Sequence, residues 1–457
     1  MNGFCEVMAA EEVFACVGHP LTAAIILKEI SRLDACFVPY PPTPCAPMNN
    51  SKLLVALLPL ILASREDCLS GPSIEPLTSL EAQVKKNPDD NAAWNRIADA
   101  HLRLLGSTGQ LSHLSIASDA VEKSLKIANP AFNKAALALR TRVELSSHRF
   151  AEARRSAEQL RELMQDRNYA LQLLGDALFN LGDYGEAEAA WSKVPLAGNE
   201  LAMEPRLSQL DWIHGNTEGA RRRLEGALHQ AEKLAPQFPE IAAWCHVQIG
   251  ELAFKSGDWE AAESHYQSAL LQQPEYYSGL DHLAELRGAQ GRLEEASALY
   301  VRLIERVDRP EFLQALGDLY LFAGKKDEAK VWHERALAGY LDSVKRGEPL
   351  YDHHLAGLYS DSLNQPEAAV QSARRDLALR HSVQAYDALA WALFKAGKNE
   401  EALDFIGKAL ATGVLDAHIL YHAGMIRMGC GDIPGGSVAL QNAMKANPRY
   451  STFHVHR

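Results

Sequence analysis

Residues 241–274 read IAAWCHVQIGELAFKSGDWEAAESHYQSALLQQP, and this stretch predicts two short helices joined by a turn. Ile249, Gly250 and Ala253 recur at helical spacing, which gives the first helix a small, apolar side. Ser256-Gly257-Asp258 forms the turn: Gly257 takes the left-handed conformation that ends a helix, and Asp258 caps the next one. In the second helix Ala262, Tyr266 and Ala269 share a face, and Pro274 stops the helix. The reading places Gly250 against Ala262 where the helices cross, with Trp259 and Tyr266 filling the space beside them. Such a hairpin cannot bury its own apolar faces, so it needs a neighbour of the same shape on each side.

Those neighbours are written along the chain. Turn glycines recur at Gly182, Gly215, Gly257, Gly291, Gly324, Gly397 and Gly431, spaced 33, 42, 34, 33, 73 and 34 residues apart. A small residue precedes each turn in most copies (Gly175, Gly250, Ala284, Gly317, Ala390, Gly424). Another follows (Ala187, Ala220, Ala262, Ala296, Ala329, Ala402, Gly436). This pattern resembles the tetratricopeptide repeat, with its small residue in each helix, aromatic fillers and closing Pro at a period of about 34 residues. The resemblance implies an all-α fold, a right-handed superhelical solenoid of antiparallel helix hairpins with about ten repeats over residues 89–448.

Irregular copies mark the array. The first predicts a loop swollen by about seven residues, Gly106 to His113. The 42-residue spacing places extra residues around Glu232 to Pro239. Tyr340 to Glu348 reads as a polar connector. The copy around Tyr351 to Leu379 loses its turn glycine at Asn364-Gln365-Pro366. Nine residues, 449–457, follow Pro448. No capping helix is expected there, so the second helix of the last copy is expected to be bare or paired with another copy of the chain.

Composition is that of a water-facing helical protein: 47% hydrophobic, 23% charged and a net charge of -12. The acidic balance argues against a nucleic-acid partner. The first residues differ from the rest. Lys52, the eleven-residue run LLVALLPLILA from Leu53 to Ala63, and a polar exit match a secretory signal peptide at 48–64 that starts at Met48. Eleven apolar residues are too few to span a bilayer. Residues 1–47 hold Cys5, Cys16, Cys36 and Cys45 and share nothing with the repeats; they are expected to lie outside the translated product. Residues 65–88 read as a linker and a first helix. The expectation is an exported chain, periplasmic or secreted if bacterial, with no stable membrane span. Cys68, Cys245 and Cys430 are too few and too far apart for a disulfide framework.

Catalytic motifs are missing from the sequence. His333-Glu334-Arg335-Ala336-Leu337 begins like a zinc-protease helix, but Leu337 stands where the second His is required. His418 and His422, spaced i, i+4, can chelate a metal, yet no carboxylate or Cys at ligand spacing completes a site. No cofactor or metal is therefore expected, and the chain reads as a non-enzyme.

The concave groove is the remaining surface, and the resemblance implies that first helices line it. Its expected residues are Asp176, Phe179, Trp244, Glu251, Phe254, Asp281, Glu285, Gln314, Asp318, Asp387, Trp391 and Phe394. Acidic groups alternate with aromatic anchors, and no basic residue is expected at the same position of an adjacent copy. Family members that clamp an acidic chaperone C-terminus use Lys and Asn in this row, so that clamp is absent. The reading is a protein-protein interaction scaffold that holds a basic or amphipathic partner segment in its groove. The alternatives are a metal-handling protein using the C-terminal histidines, and a regulatory subunit that docks or self-associates through the uncapped last repeat.

Overall fold

A computed structural model describes residues 76–450 and Phe453. The signal-peptide reading and residues 1–47 lie outside the described residues. Everything described is helix or connecting turn. The helices are α1 (Leu77–Lys86), α2 (Asn91–Thr108), α3 (Ser112–Ile127), α4 (Lys134–Ser146), α5 (Phe150–Leu163), α6 (Asn168–Leu181) and α7 (Tyr184–Trp191). Next come α8 (Glu200–Ile213), α9 (Thr217–Leu234), α10 (Pro239–Lys255), α11 (Trp259–Gln272), α12 (Tyr277–Ala289), α13 (Leu293–Ile304) and α14 (Pro310–Phe322). The series ends with α15 (Lys326–Lys345), α16 (Asp352–Gly357), α17 (Pro366–Leu379), α18 (Val383–Lys395), α19 (Asn399–Leu410), α20 (Ala417–Gly429) and α21 (Ile433–Ala446). From α2 onward each even-numbered helix packs on the odd-numbered helix after it, and each hairpin packs on the next. The molecule is an all-α solenoid.

Local chemistry sets the hairpins. The turn glycines hold left-handed backbone, as at Gly182 (φ 94°) and Gly257 (φ 80°), where a Cβ would clash with the following carbonyl. The weak copies put His148 (φ 55°) and Asn364 (φ 49°) at that point instead. Asp258 accepts a hydrogen bond from the Ala261 N–H at 2.9–3.0 Å, as does Asp90 from Ala93, so both act as helix caps. Between the helices, the small residue of the first faces a large one sixteen positions later. A Cβ on Gly250 would lie 2.5 Å from the Tyr266 ring, one on Gly175 2.2 Å from Trp191, and one on Gly317 2.3 Å from His333. Gly250 therefore makes room for Tyr266 and not, as the sequence reading had it, for Ala262.

Three irregularities resolve differently from expectation. The swollen loop of the first copy is spent on length: α2 and α3 have 18 and 16 residues, with a short turn at Gly109. Tyr340 to Lys345 belongs to α15, not to a connector. The copy without a turn glycine has the short α16, which continues into a π-helical turn at Leu358–Ser362.

The solenoid also closes on itself. Turns within early hairpins rest on segments that follow later ones. His381 N–H donates to Leu181 O at 2.6 Å, and Val383 N–H to the Tyr184 hydroxyl at 2.9 Å. Gly182 abuts the His381 carbonyl, and Gly215 the Gly413 carbonyl, each at under 3 Å from a built Cβ. His214 Nδ1 lies 3.2 Å from Thr412 O, and Gln273 Nε2 donates to Ser107 O. The C-terminal segment joins this seam. Asn447 Nδ2 donates to Phe254 O at 3.2 Å, Arg449 pairs with Glu260 at 2.7 Å, and Phe453 packs on Gly288 and Phe322. The hydrogen bonds and the ion pair among these contacts link residues 166 to 200 apart, roughly one superhelical turn. The segment after α21 thus packs against α10–α14, while α21 itself packs on α20, with Leu440 buried and Val438 exposed.

Candidate functional site on the inner face

The residues of the expected groove row lie on the first helices α6, α10, α12, α14 and α18. Asp176, Phe179, Trp244, Glu251, Phe254, Asp281, Glu285, Gln314, Asp318, Asp387, Trp391 and Phe394 are all buried. This corrects the expectation of an open groove stripe. Phe179 lies inside its own hairpin, 5.0 Å from Tyr184 and 5.6 Å from Trp191. Phe254 packs with Tyr266, Leu283 and Leu286, and Phe394 is the contact that makes Gly429 necessary on α20.

The acids are not left to repel each other. They form a series of polar rungs, some between successive first helices and others within one helix or hairpin. Asp99 on α2 meets Arg142 on α4 at 2.6 Å and Arg103 at 2.9 Å. Asp176 on α6 accepts both Nε and Nη2 of Arg206 on α8, at 2.6 and 2.7 Å, and Arg206 is 0% exposed. The base comes from the adjacent copy but not from the matching position, which is Gln209, 33 residues after Asp176. Asp318 on α14 takes His333 Nε2 at 2.8 Å and the Ser362 hydroxyl at 2.6 Å, and the Tyr340 hydroxyl donates to Gln314 at 2.7 Å. Trp391 Nε1 donates to Asp361 at 2.9 Å. Asp376 is held by Arg380 at 2.8 Å and His353 at 3.2 Å. Burial opposes charge on Asp376, but Arg380 and His353 together hold its carboxyl well below the usual range.

The middle of the array is more acidic. Glu251 pairs with Lys255 at 3.2 Å, and the same ammonium lies 3.7 Å from Asp416. His282 Nδ1 is 3.7 Å from Glu285. Burial works against charging Lys255 and His282, yet the surrounding acids raise both above their ordinary values. Glu251, Asp281 and Glu285 also gather about Tyr266, whose hydroxyl, buried and beside these acids, is raised well above its usual value. Glu251, Asp281, Glu285, Asp416, Lys255 and His282 thus lie in one polar cluster.

At the C-terminal end, α18 and α20 bring Asp387, His418 and His422 together. His422 Nδ1 is 2.9 and 3.1 Å from the two Asp387 oxygens, and His418 Nε2 is 3.7 Å from Asp387 Oδ2. The Trp391 ring stacks on His422 at 3.9 Å. The sequence reading found the histidines and missed the carboxylate, because Asp387 lies 35 residues upstream on the neighbouring first helix.

A tetratricopeptide repeat family model matches residues 140–194 and 247–296, two segments whose hairpins show the small-residue crossing and turn described above. These two segments carry tetratricopeptide repeats. Repeats of this family support a protein-interaction scaffold. The repeat protein is 41% identical over 85 residues to a "Cellulose synthase operon protein C" of Xanthomonas axonopodis pv. citri (strain 306); the match covers 18% of this chain and 6% of that protein. Among solved structures it is similar to the APC/C hetero-tetramer Cut9-Hcn1, at 13% identity and TM-score 0.34, covering 88% of this chain and 97% of that one. It is also similar to yeast Tom70, at 14% and TM-score 0.34 over 80% and 87%. A tetratricopeptide repeat protein from Parabacteroides merdae ATCC 43184 matches at 19% and TM-score 0.32, over 54% and 92%. Among the described residues of the repeat protein, no helix is long and apolar enough to cross a membrane.

Proposed function

We propose that this chain is a non-enzymatic adaptor that is exported from the cytoplasm and holds a basic or amphipathic segment of a partner protein. The observation that carries the reading is the cluster of acids, Glu251, Asp281 and Glu285, gathered about the buried Tyr266. A lysine or arginine from a partner would offset that charge. Because these groups are buried, the segment enters when the seam near Asn447 and Arg449 opens. Coupling to that opening makes association slower than docking on a preformed groove. The test is affinity purification of the partner from the native source, followed by binding kinetics at several salt concentrations. Asp281→Asn with Glu285→Gln should weaken binding and flatten its salt dependence, while Arg449→Glu should speed association. Unchanged affinity in the acid variants would place the partner elsewhere. Export rests on Lys52 and the Leu53 to Ala63 run; N-terminal sequencing of the native protein should give a start between about Ser64 and Ser70, and an intact Met1 would sink it.

A further inference from the structure

We propose that Asp387, His418 and His422 form a binding site for a divalent transition-metal cation of the zinc class. One ligand atom from each of these three buried residues lies within 4.8 Å of the others. The other histidine-bearing rungs place one imidazole on each carboxylate, His333 on Asp318 and His353 on Asp376, with a hydroxyl or guanidinium filling the remaining oxygen positions. Here two imidazoles converge on a single carboxylate, and no arginine or lysine is bonded to it among the described residues.

The donor atoms are near the spacing a metal demands. His422 Nδ1 and His418 Nε2 stand 3.1 and 3.7 Å from Asp387 Oδ2. Bonds of about 2.0–2.2 Å at tetrahedral angles put ligand atoms roughly 3.2–3.5 Å apart, so small side-chain rotations close the site. His418 and His422 share one face of α20 one turn apart, and their ring centroids are 3.9 Å apart. The orientation is supported from outside. His418 Nδ1 lies 3.1 Å from the Tyr450 hydroxyl; with the ring proton there, the Nε2 lone pair faces Asp387, the outer-shell arrangement that metal-bound histidines use. Trp391 stacks flat on His422, with 10° between the planes, and restricts that ring. Two nitrogens and one carboxylate oxygen suit zinc, cobalt or nickel over calcium or magnesium. Binding displaces the proton that His422 Nδ1 shares with Asp387. Three protein ligands leave at least one coordination position open, and the ion would tie α18 to α20.

The test uses the full chain, freed of metal with a chelator and titrated with cobalt(II) chloride. The expected result is visible ligand-field absorption that saturates at one equivalent, is displaced by zinc, and is accompanied by a higher melting temperature. His418→Gln and Asp387→Asn should lose both signals, while His454→Ala/His456→Ala should keep them. Far-ultraviolet circular dichroism checks that each variant keeps its helices; Asp387→Asn, nearly isosteric, covers the case in which a histidine variant unfolds. Absence of the absorption in the wild type, or its persistence in Asp387→Asn and His418→Gln, would overturn the assignment.

Discussion

Two rungs of the inner ladder solve one problem in different ways. On α6 and α8, the carboxylate of Asp176 is closed by a single planar guanidinium through two parallel hydrogen bonds. On α18 and α20, Asp387 is met by two imidazoles, one bonded at 2.9 Å and one at 3.7 Å. The first rung satisfies the carboxylate in a fixed geometry and leaves it nothing further to do. The second is held by groups that can exchange a proton for a metal. Distant copies of one repeat thus bury the same kind of acid for different ends, and the partner residue decides which.

The sharpest way to break the comparison is to remove the partners. Arg206→Ala strands a buried carboxylate and should cost about 3–5 kcal/mol. His422→Ala leaves His418 and some access to solvent, and should cost about 1.5–3 kcal/mol, in the range of a hydrogen bond to a charged group. Urea-unfolding midpoints give the order; a smaller loss for Arg206→Ala than for His422→Ala would reverse it. Replacing the whole first rung, Asp176→Leu with Arg206→Met, should come within about 1 kcal/mol of the wild type or exceed it, because the two desolvation costs vanish together.

The glycines beside the rungs should part in the same direction. Gly175→Ala puts a Cβ 2.2 Å from the rigid Trp191 ring, whereas Gly424→Ala meets the end of Leu440 at 2.6 Å. Overpacking against the ring should cost on the order of 1–3 kcal/mol, and the leucine variant should lose less, because Leu440 can change rotamer. Equal melting temperatures for the two variants would show that α7 yields as readily as α21.

A smaller effect concerns pH. Hydrogen bonds from Arg287 at 2.6 Å hold the Glu263 carboxyl down to about 2, from an ordinary 4.5. A depressed folded-state pKa gives stability that is present above 4.5 and is lost as pH falls toward 2. The wild type should therefore lose melting temperature across that window more steeply than Glu263→Gln, and parallel curves would remove the link. The least effect is expected from Arg221→Ala, whose pairs with Glu218 and Glu225 are exposed; its melting temperature should match the wild type.

Much of the fold was legible because its signals are local. Gly257, Asp258 and the sixteen-residue step from Gly250 to Tyr266 lie within one hairpin, and each has its own backbone or packing reason. Even so, Tyr266 was assigned to the side of the crossing when it fills the crossing itself, since spacing alone does not say which face a ring takes. Glu263 gives no local sign of its partner, since Arg287 lies 24 residues on in the next hairpin. The candidate site was half legible. Its histidines share a helix and advertise themselves at i, i+4, while Asp387 looked like one more acid of the groove row. Arg142 and Arg206 are bases on first helices that carry other charged residues as well, and both sit in copies whose consensus is weak.

The sequence by itself determined the hairpin, its period, its turns and the all-α stack, because each depends on residues no further apart than a repeat or two. The tertiary structure decided what the inner face is. Contacts such as His381 with Leu181 and Asn447 with Phe254 join residues a full superhelical turn apart. They depend on the small rotation between successive hairpins accumulated over the whole array, and no single repeat encodes that sum. The acidic and aromatic rows are buried by their own and adjacent hairpins, and the acids are held by the partners that packing brings to them. In α8 that was a guanidinium; in α20 it was two imidazoles.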